Sequence, residues 1–390
     1  MSRLEELIAE LCPNGVDIKA LDEVCTFNRG TPLVSKNAKP GNIPVISGGQ
    51  KPAFYHNESN RADISITVAG SGAYAGFVSI WYEPIFCSDA FTVDPIDENQ
   101  LNIKYLFYYL ANNQMNIYHK KTGAGIPHVH GKDLAKFKIP VPPLEVQREI
   151  VRILDSFTLL TAELTAELTD RKKQYEFYRN KMLTFDTKVT RKRLGEIFDF
   201  RNGLSKGKEF FGSGTPFIRY TDVYNHRSLR KEDITALVEC TSSELEKLRV
   251  SRGDVLFTRT SETAEDVGWS SVMLDDIGDC VFNGFTIKAT PKTDDLLPEY
   301  CAYCFATDSF RNYVTTHCAF TTRASLTGNT IADYQIAIPS IDEQQRIVNV
   351  LGNFESICSD LNSGLPAEIA ARQKQYEYYR DKLLSFEEVK

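Results

Sequence analysis

Apolar residues recur at mostly three- and four-residue steps through Ile150, Leu154, Phe157, Leu160, Leu164, Leu168, Tyr175, Tyr178, Met182 and Phe185. That spacing puts them on one face of an α-helix, and neither Gly nor Pro interrupts residues 151–185. The pattern predicts a helix of about 35 residues, roughly 50 Å long at 1.5 Å per residue. Pro142-Pro143 stops the preceding strand and frames the helix start. A second helical pattern opens with Ser340-Ile341-Asp342-Glu343, which fits a capping box. It is interrupted at Ser363-Gly364-Leu365-Pro366, where Gly ends one helical stretch and Pro begins another. A stripe of nearly ten turns is longer than one small domain covers. The two helices are therefore expected to pair with each other as an antiparallel coiled coil.

The remaining segments alternate instead. Residues 63–93 and 255–287 read as strands separated by Gly turns, each followed by a short helical stretch (105–111 and 300–306), a loop and an Ile-Pro strand. The run from Ile64 to Tyr82 carries no charge and could span a bilayer on length alone. Gly70, Gly72, Gly76 and the interspersed Ser and Thr mark it instead as buried strands around a Gly-rich turn.

The two sets of elements are copies. RKKQYEFYRNKMLTF (171–185) returns as RQKQYEYYRDKLLSF (372–386), identical at ten of fifteen positions with an offset of 201. FKIPVPPLEVQREIVRIL (137–154) returns as YQIAIPSIDEQQRIVNVL (334–351) at 197, and LDEVCTF (21–27) as LGEIFDF (194–200) at 173. A tandem duplication of about 200 residues explains all three. The extra length of the second copy falls in 206–252, and variable length on a fixed frame suggests a recognition surface. The chain reads as α+β, with two β-rich domains in a pseudo-twofold tandem repeat separated by two long antiparallel helices. The expected bounds are an N-terminal helical segment (1–14), a first β-rich domain (15–144), a first helical spacer (145–186), a second β-rich domain (187–341) and a second spacer (342–386, broken near 363–366).

Composition narrows the class. A chain of 390 residues with 42% hydrophobic and 25% charged residues fits two globular domains plus extra elements. The opening MSRLEELIAEL lacks the basic patch and apolar block of a signal peptide. Nine scattered cysteines read as reduced thiols, so a cytoplasmic protein without membrane segments is expected. The net charge of −7 speaks mildly against nucleic acid, yet 151–193 is +4, with ten Lys/Arg against six Asp/Glu. Catalytic motifs fail one by one. Cys301-Ala-Tyr-Cys304 is a lone C-x-x-C whose counterparts are Leu106 and Tyr109, so packing thiols are expected rather than a metal site. His128-Val-His130 is replaced by Ser325 and Thr327 in the second copy, which favours a loop role. Residues 203–208 lack phosphate-loop spacing, and Gly70-Ser-Gly72 opens no nucleotide-binding helix. No adenine-methyltransferase Asn-Pro-Pro-aromatic motif, nuclease signature or helicase signature occurs. No catalysis, bound cofactor or metal is expected in this chain.

With these features together, the chain resembles the specificity subunit of type I restriction-modification systems over essentially its whole length. The resemblance rests on 150–185, on the Pro-to-Gln strand-helix junctions (Pro142 to Gln147, Pro339 to Gln344), and on GLPAEIAARQKQYEYYRDKLLSF (364–386). The doubled tetrapeptide Thr161-Ala-Glu-Leu164/Thr165-Ala-Glu-Leu168 resembles the spacer repeat of one branch of that family, and LIAELCPNGV resembles its usual opening, which packs near the second arm. The resemblance implies two target-recognition domains that each read half of a split site in double-stranded DNA. It implies helices that bind two methyltransferase subunits, S-adenosylmethionine in those partners, and a motor-nuclease subunit in the full complex. Base readout needs donors and acceptors on loops that enter a groove. The candidates are Ser71, Tyr74, Lys120, Lys121, His128 and Lys132 in the first copy and Arg219, Tyr220, Arg259, Thr260, Ser261 and Arg323 in the second. The repeated helix motif nominates Gln174, Tyr175, Tyr178, Arg179, Gln375, Tyr376, Tyr379 and Arg380 as partner-binding. A stand-alone bipartite DNA-binding regulator or a coiled-coil adaptor would use the same frame without enzymatic partners.

Overall fold

The computed structural model describes residues 3–123, 125–359 and 364–389. The chain forms two compact units, Met1–Thr165 with Glu368–Lys390, and Ala166–Ala367.

In the first unit a four-stranded antiparallel sheet runs in the order Cys25–Arg29, Ala90–Pro95, Ser65–Ala69, Val78–Trp81. A three-stranded sheet orders Phe54–His56, Ile43–Ile46 and Phe86–Cys87, and Asp17–Ala20 pairs with Lys138–Val141. The uncharged run thus forms two paired strands, Ser65–Ala69 and Val78–Trp81, and every residue of the first is buried. Among the described residues no helix is long and apolar enough to cross a membrane. Ile66, Val68 and Val93 from the sheet meet Tyr105, Leu106 and Leu110 of the helix Ile103–Asn112 in one core. Asn102 starts that helix, its carboxamide oxygen accepting from the Lys104 and Tyr105 amides at 2.9 and 3.1 Å.

The second unit repeats the plan. Its larger sheet orders Phe198–Asn202, Thr286–Pro291, Val255–Thr258, Ser270–Met273 and an added edge strand, Ser228–Leu229. Ala236–Val238, Phe211–Ile218 and Val281–Phe282 match the smaller sheet, and Arg191–Arg193 pairs with Gln335–Ala337. The extra residues of this copy build the helices Tyr220–Asn225 and Ser242–Leu248 with the strand Ser228–Leu229. The short helix Pro298–Cys304 occupies the place of Ile103–Asn112. Cys301 and Cys304 are buried on it, and desolvation pushes the Cys301 thiol up to about 12. Both are packing residues.

The first long helix spans Leu144–Met182, 39 residues, about 58 Å at 1.5 Å per residue. It starts directly after Pro142-Pro143 and stops three residues short of the expected Phe185, because Leu183 and Phe185 turn into the core of the second unit. The second helix is two: Ile341–Ser359 and Leu365–Leu383. Gly364 precedes the restart and Pro366 lies in its first turn, whereas Ser363 of the expected break lies outside the described residues. The capping box at Ser340 is half formed. Its hydroxyl accepts the Glu343 amide at 3.3 Å, but the Glu343 carboxylate is taken by Arg346 at 2.6 Å.

One side chain locks each strand-to-helix junction. Gln147 is fully buried, donates to the Gln100 and Pro142 carbonyls at 2.8 and 2.7 Å, and accepts the Asn102 amide at 2.8 Å. Gln344 repeats this with the Asp295 and Pro339 carbonyls at 2.8 and 3.0 Å and the Leu297 amide at 2.8 Å. Replacing Gln344 by Leu orphans that amide and withdraws donors from two carbonyls, at ~1–3 kcal/mol for each buried group left unsatisfied. Gln344→Leu should lower the melting temperature by roughly 5–10 °C, from a loss of about 3 kcal/mol in a unit of this size. An unchanged calorimetric transition would show that the glutamine is not a structural lock.

Candidate nucleic-acid interface

Both units carry a small ribbon at the same place in the repeat, and most of the candidate residues sit on it. In the first unit the turn after Ser65–Ala69 brings Ser71 into a bridge with His128, which in turn bridges Thr122. The Gly72 amide donates to the Pro127 carbonyl at 3.0 Å, and the Val129 amide to the Gly70 carbonyl at 3.1 Å. Gly72 has φ +85° and open space around it, a backbone that other residues rarely adopt. Lys121 donates to the Ala73 carbonyl at 3.0 Å and lies 4.2 Å over the Tyr118 ring, and Tyr74 is exposed. Ser71, Tyr74, Lys121 and His128 are thus brought together. The Ser71 hydroxyl bonds Asp89, so a carboxylate borders the group. The His128 and His130 rings lie parallel with centroids 6.0 Å apart. Lys120 and Lys132 are exposed on its flanks, Lys132 on the turn Gly131–Leu134.

In the second unit Thr260–Ser261, Ala324–Ser325 and Ala319–Phe320 form the ribbon as three short strands in that order. Ser325 takes the place of His128, as the offset of 197 requires, and the Leu326 amide donates to the Arg259 carbonyl at 2.9 Å. Arg259, Thr260, Ser261 and the exposed Arg323 therefore belong to one element. Arg219 and Tyr220 lie elsewhere. The Arg219 guanidinium is held by Asp222 at 2.7 Å, and Tyr220 stacks on Tyr224, which bonds Asp266 at 2.8 Å and meets Trp269 edge-on. Trp269 in turn lies 4.4 Å beneath the Arg311 guanidinium.

The charge distribution explains how an acidic chain can present such a face. Residues 99–132 contain four lysines, three histidines and no Asp or Glu, and 309–332 contain two arginines, one histidine and no Asp or Glu. These runs include the ribbons' outer strands. They are visible in the sequence as gaps in the acidic residues, although the net charge conceals them.

The repeated helix motif divides into an inward and an outward set. Tyr175, Met182, Leu183 and Phe185 pack on the core of the second unit, and Tyr376, Leu383 and Phe386 on that of the first, so each copy's motif fills the socket of the other copy's unit. The Tyr175 hydroxyl accepts from Arg227 at 2.6 Å, while Arg227 also pairs with Glu355 and lies 4.0 Å over the Tyr303 ring. Arg179 pairs with Asp308 at 3.3 Å and lies 5.7 Å over Tyr175, and Arg380 lies 5.5 Å over Tyr376. The side chains of Tyr175, Arg179, Tyr376 and Arg380 are thus used within their own units. Gln174, Tyr178, Gln375 and Tyr379 are exposed, together with two aromatics absent from the expected set, Phe177 and Tyr378. The outward set is the same in both units. Tyr178 meets Phe354 and Tyr379 meets Phe157, both at 5.6 Å, and the neighbouring pairs Phe177–Tyr178 and Tyr378–Tyr379 stand edge-to-face at 5.4 and 5.3 Å. In the second unit the helices run antiparallel, since Tyr178 faces Phe354 while Lys172 neighbours Cys358. The N-terminal segment joins the chain's end in the first unit, where the Val16 amide donates to the Glu387 carbonyl at 2.9 Å.

Known proteins share this plan. Residues 13–171 and 187–371 each match the family described as type I restriction modification DNA specificity domain. The type I restriction enzyme EcoR124I/EcoR124II specificity subunit of Escherichia coli is 30% identical over 416 residues, which cover 99% of this chain and 97% of that one. Among solved structures, the type I restriction-modification S subunit from M. genitalium is similar with a TM-score of 0.56 at 15% identity, covering 94% and 96% of the two chains. A chain from a structure concerned with complex assembly and conformational transition of a type I R-M system reaches a TM-score of 0.63 at 20% identity, covering 95% and 98%. The chain belongs to the DNA specificity subunits of type I restriction-modification systems, with the family's domain present twice.

Proposed function

We propose that each unit reads one half of a bipartite site in double-stranded DNA through its ribbon, and that the helices set the gap and dock two methyltransferase subunits. The observation that carries this is the doubled ribbon: one backbone frame built twice, its outer segments in acid-free stretches, with unlike side chains on it. Like frames with unlike donors and acceptors suit two different base sequences. In this reading Lys120, Lys121, Lys132 and Arg323 hold phosphates, while Ser71, Tyr74, His128, Arg259, Thr260 and Ser261 face base edges. Arg219 and Tyr220 support the second reader from the side.

The outward helix set argues for two identical partners. Packing accounts for the near-identity of the inward positions and, through Phe354 and Phe157, for part of Tyr178/Tyr379, but the exposed aromatics Phe177/Tyr378 have no such reason to match. Exposed aromatic pairs are the usual anchors of protein interfaces. The chemistry belongs to the partners, which transfer a methyl group from S-adenosylmethionine to adenine, and motor-nuclease subunits join for cleavage. This chain would recognise without catalysing.

Binding assays separate this reading from a stand-alone regulator. Co-expressed with a methyltransferase subunit, the chain should co-purify with two copies of it, and only that complex should bind DNA sequence-specifically. Tight operator binding by the chain alone would favour the regulator.

A further inference from the structure

Each ribbon presents an apolar side chain that no core uses. Phe320 is 60% exposed on the outer strand Ala319–Phe320, and Ile126 is 63% exposed on the loop between Thr122 and His128. Phe320 borders a tight turn, with the Thr321 amide at 3.4 Å from the Arg323 carbonyl, and Thr321, Thr322 and Arg323 are all exposed. Gly123, at φ +105°, lies close to Ile126 in the first unit, where an added Cβ would come within 2.7 Å of the Ile126 carbonyl oxygen.

We propose that Phe320 and Ile126 are wedges that enter between stacked base pairs, one in each half-site, and bend the DNA there. The proposal rests on the reading of the two units as DNA readers. Three features support it. Phe and Ile are among the side-chain types that part base steps in proteins that bend DNA. Cations and hydroxyls flank each wedge: Arg323, Thr321 and Thr322 beside Phe320, and Lys120, Lys121 and Thr122 near Ile126. Those groups hold phosphates on either side of an opened step. The outer strand Ala319–Phe320 is paired on one side only, so nothing in the second unit's sheet covers it. A protein partner with acidic anchors is the other occupant to consider, and a nucleic acid fits better because Phe320 belongs to the same three-stranded ribbon as Thr260 and Ser261, joined to them through Ala324–Ser325. A bent duplex also adds specificity at base steps that no side chain touches.

The test uses the complex with the methyltransferase subunit and a duplex carrying its methylation site. 2-Aminopurine replaces single bases outside the methylated adenines, which the enzyme itself unstacks. With the wild-type chain, one step in each half-site should become bright. Phe320→Ala should quench the signal in the second unit's half-site alone, straighten the duplex by energy transfer between end labels, and lower kcat/KM for methylation about 10–100-fold. Phe320→Leu should retain most of the signal, and Ile126→Ala should act on the other half-site only. Unchanged brightness and bend in Phe320→Ala, in a complex that still methylates, would overturn the wedge while leaving the two readers intact. A wild-type complex that methylates without any bipartite motif would overturn both.

Discussion

Replacing residues 187–338 with the corresponding segment of another specificity subunit changes one half of the methylated motif and leaves the other half untouched. The second reader's ribbon, its added helices and strand, and its buried clusters lie in that segment except for the helix residues that close the core, Ile347 and Leu351 among them. The first reader has its own core, closed by Val146, Ile150 and Leu154 of the long helix and by Tyr376, Leu383 and Phe386. What the graft must preserve is the socket for the helix motif, where Tyr300, Tyr303 and Phe310 share a core with Tyr175, Met182 and Phe185. A mismatched base pair costs ~1–3 kcal/mol, so exchanging three specified pairs should shift preference in that half by at least about a hundredfold. Sequencing of modified adenines reads both halves at once. A graft that folds, methylates and alters both halves would mean that the units do not read independently.

Much of this architecture is legible in the residue pattern. The long apolar stripe, Pro142-Pro143 and the glycine turns give the helices and the main strands, because 3.6- and 2-residue periods need only a few turns to show. The repeat locates both readers and matches Ser325 to His128 before any coordinates. The ribbons are not visible in this way. Strands of two residues, such as Thr260–Ser261 and Ala324–Ser325, are too short for a period, and their pairing is set by the sheet from which they extend. Side-chain partners are equally hidden. Arg219 reads as a free cation until Asp222 is seen to hold it, and Tyr175 reads as a docking residue until Arg227, 52 positions away, is found on its hydroxyl. The exchange of motifs between units is hidden too, since it depends on which helix half each core captures. The missing acidic residues of 99–132 and 309–332 were open to inspection, but a sum over the chain averages them away.

The central claim is that specificity resides in two readers and the distance between their half-sites in the long helix. The two TAEL units lie in the middle of the uninterrupted helix Leu144–Met182, with Leu164 and Leu168 half-buried and Ala162, Glu163, Ala166 and Glu167 exposed. A third unit adds four residues, about 6 Å of rise and roughly 40° beyond a full turn. At about 3.4 Å per base pair that corresponds to one or two base pairs of DNA. Mapping methylated adenines genome-wide for this variant beside the parent is the most direct measurement. The variant should keep the same two half-sites, with a gap longer by one or two base pairs. The same gap, or altered half-sites, would contradict the claim.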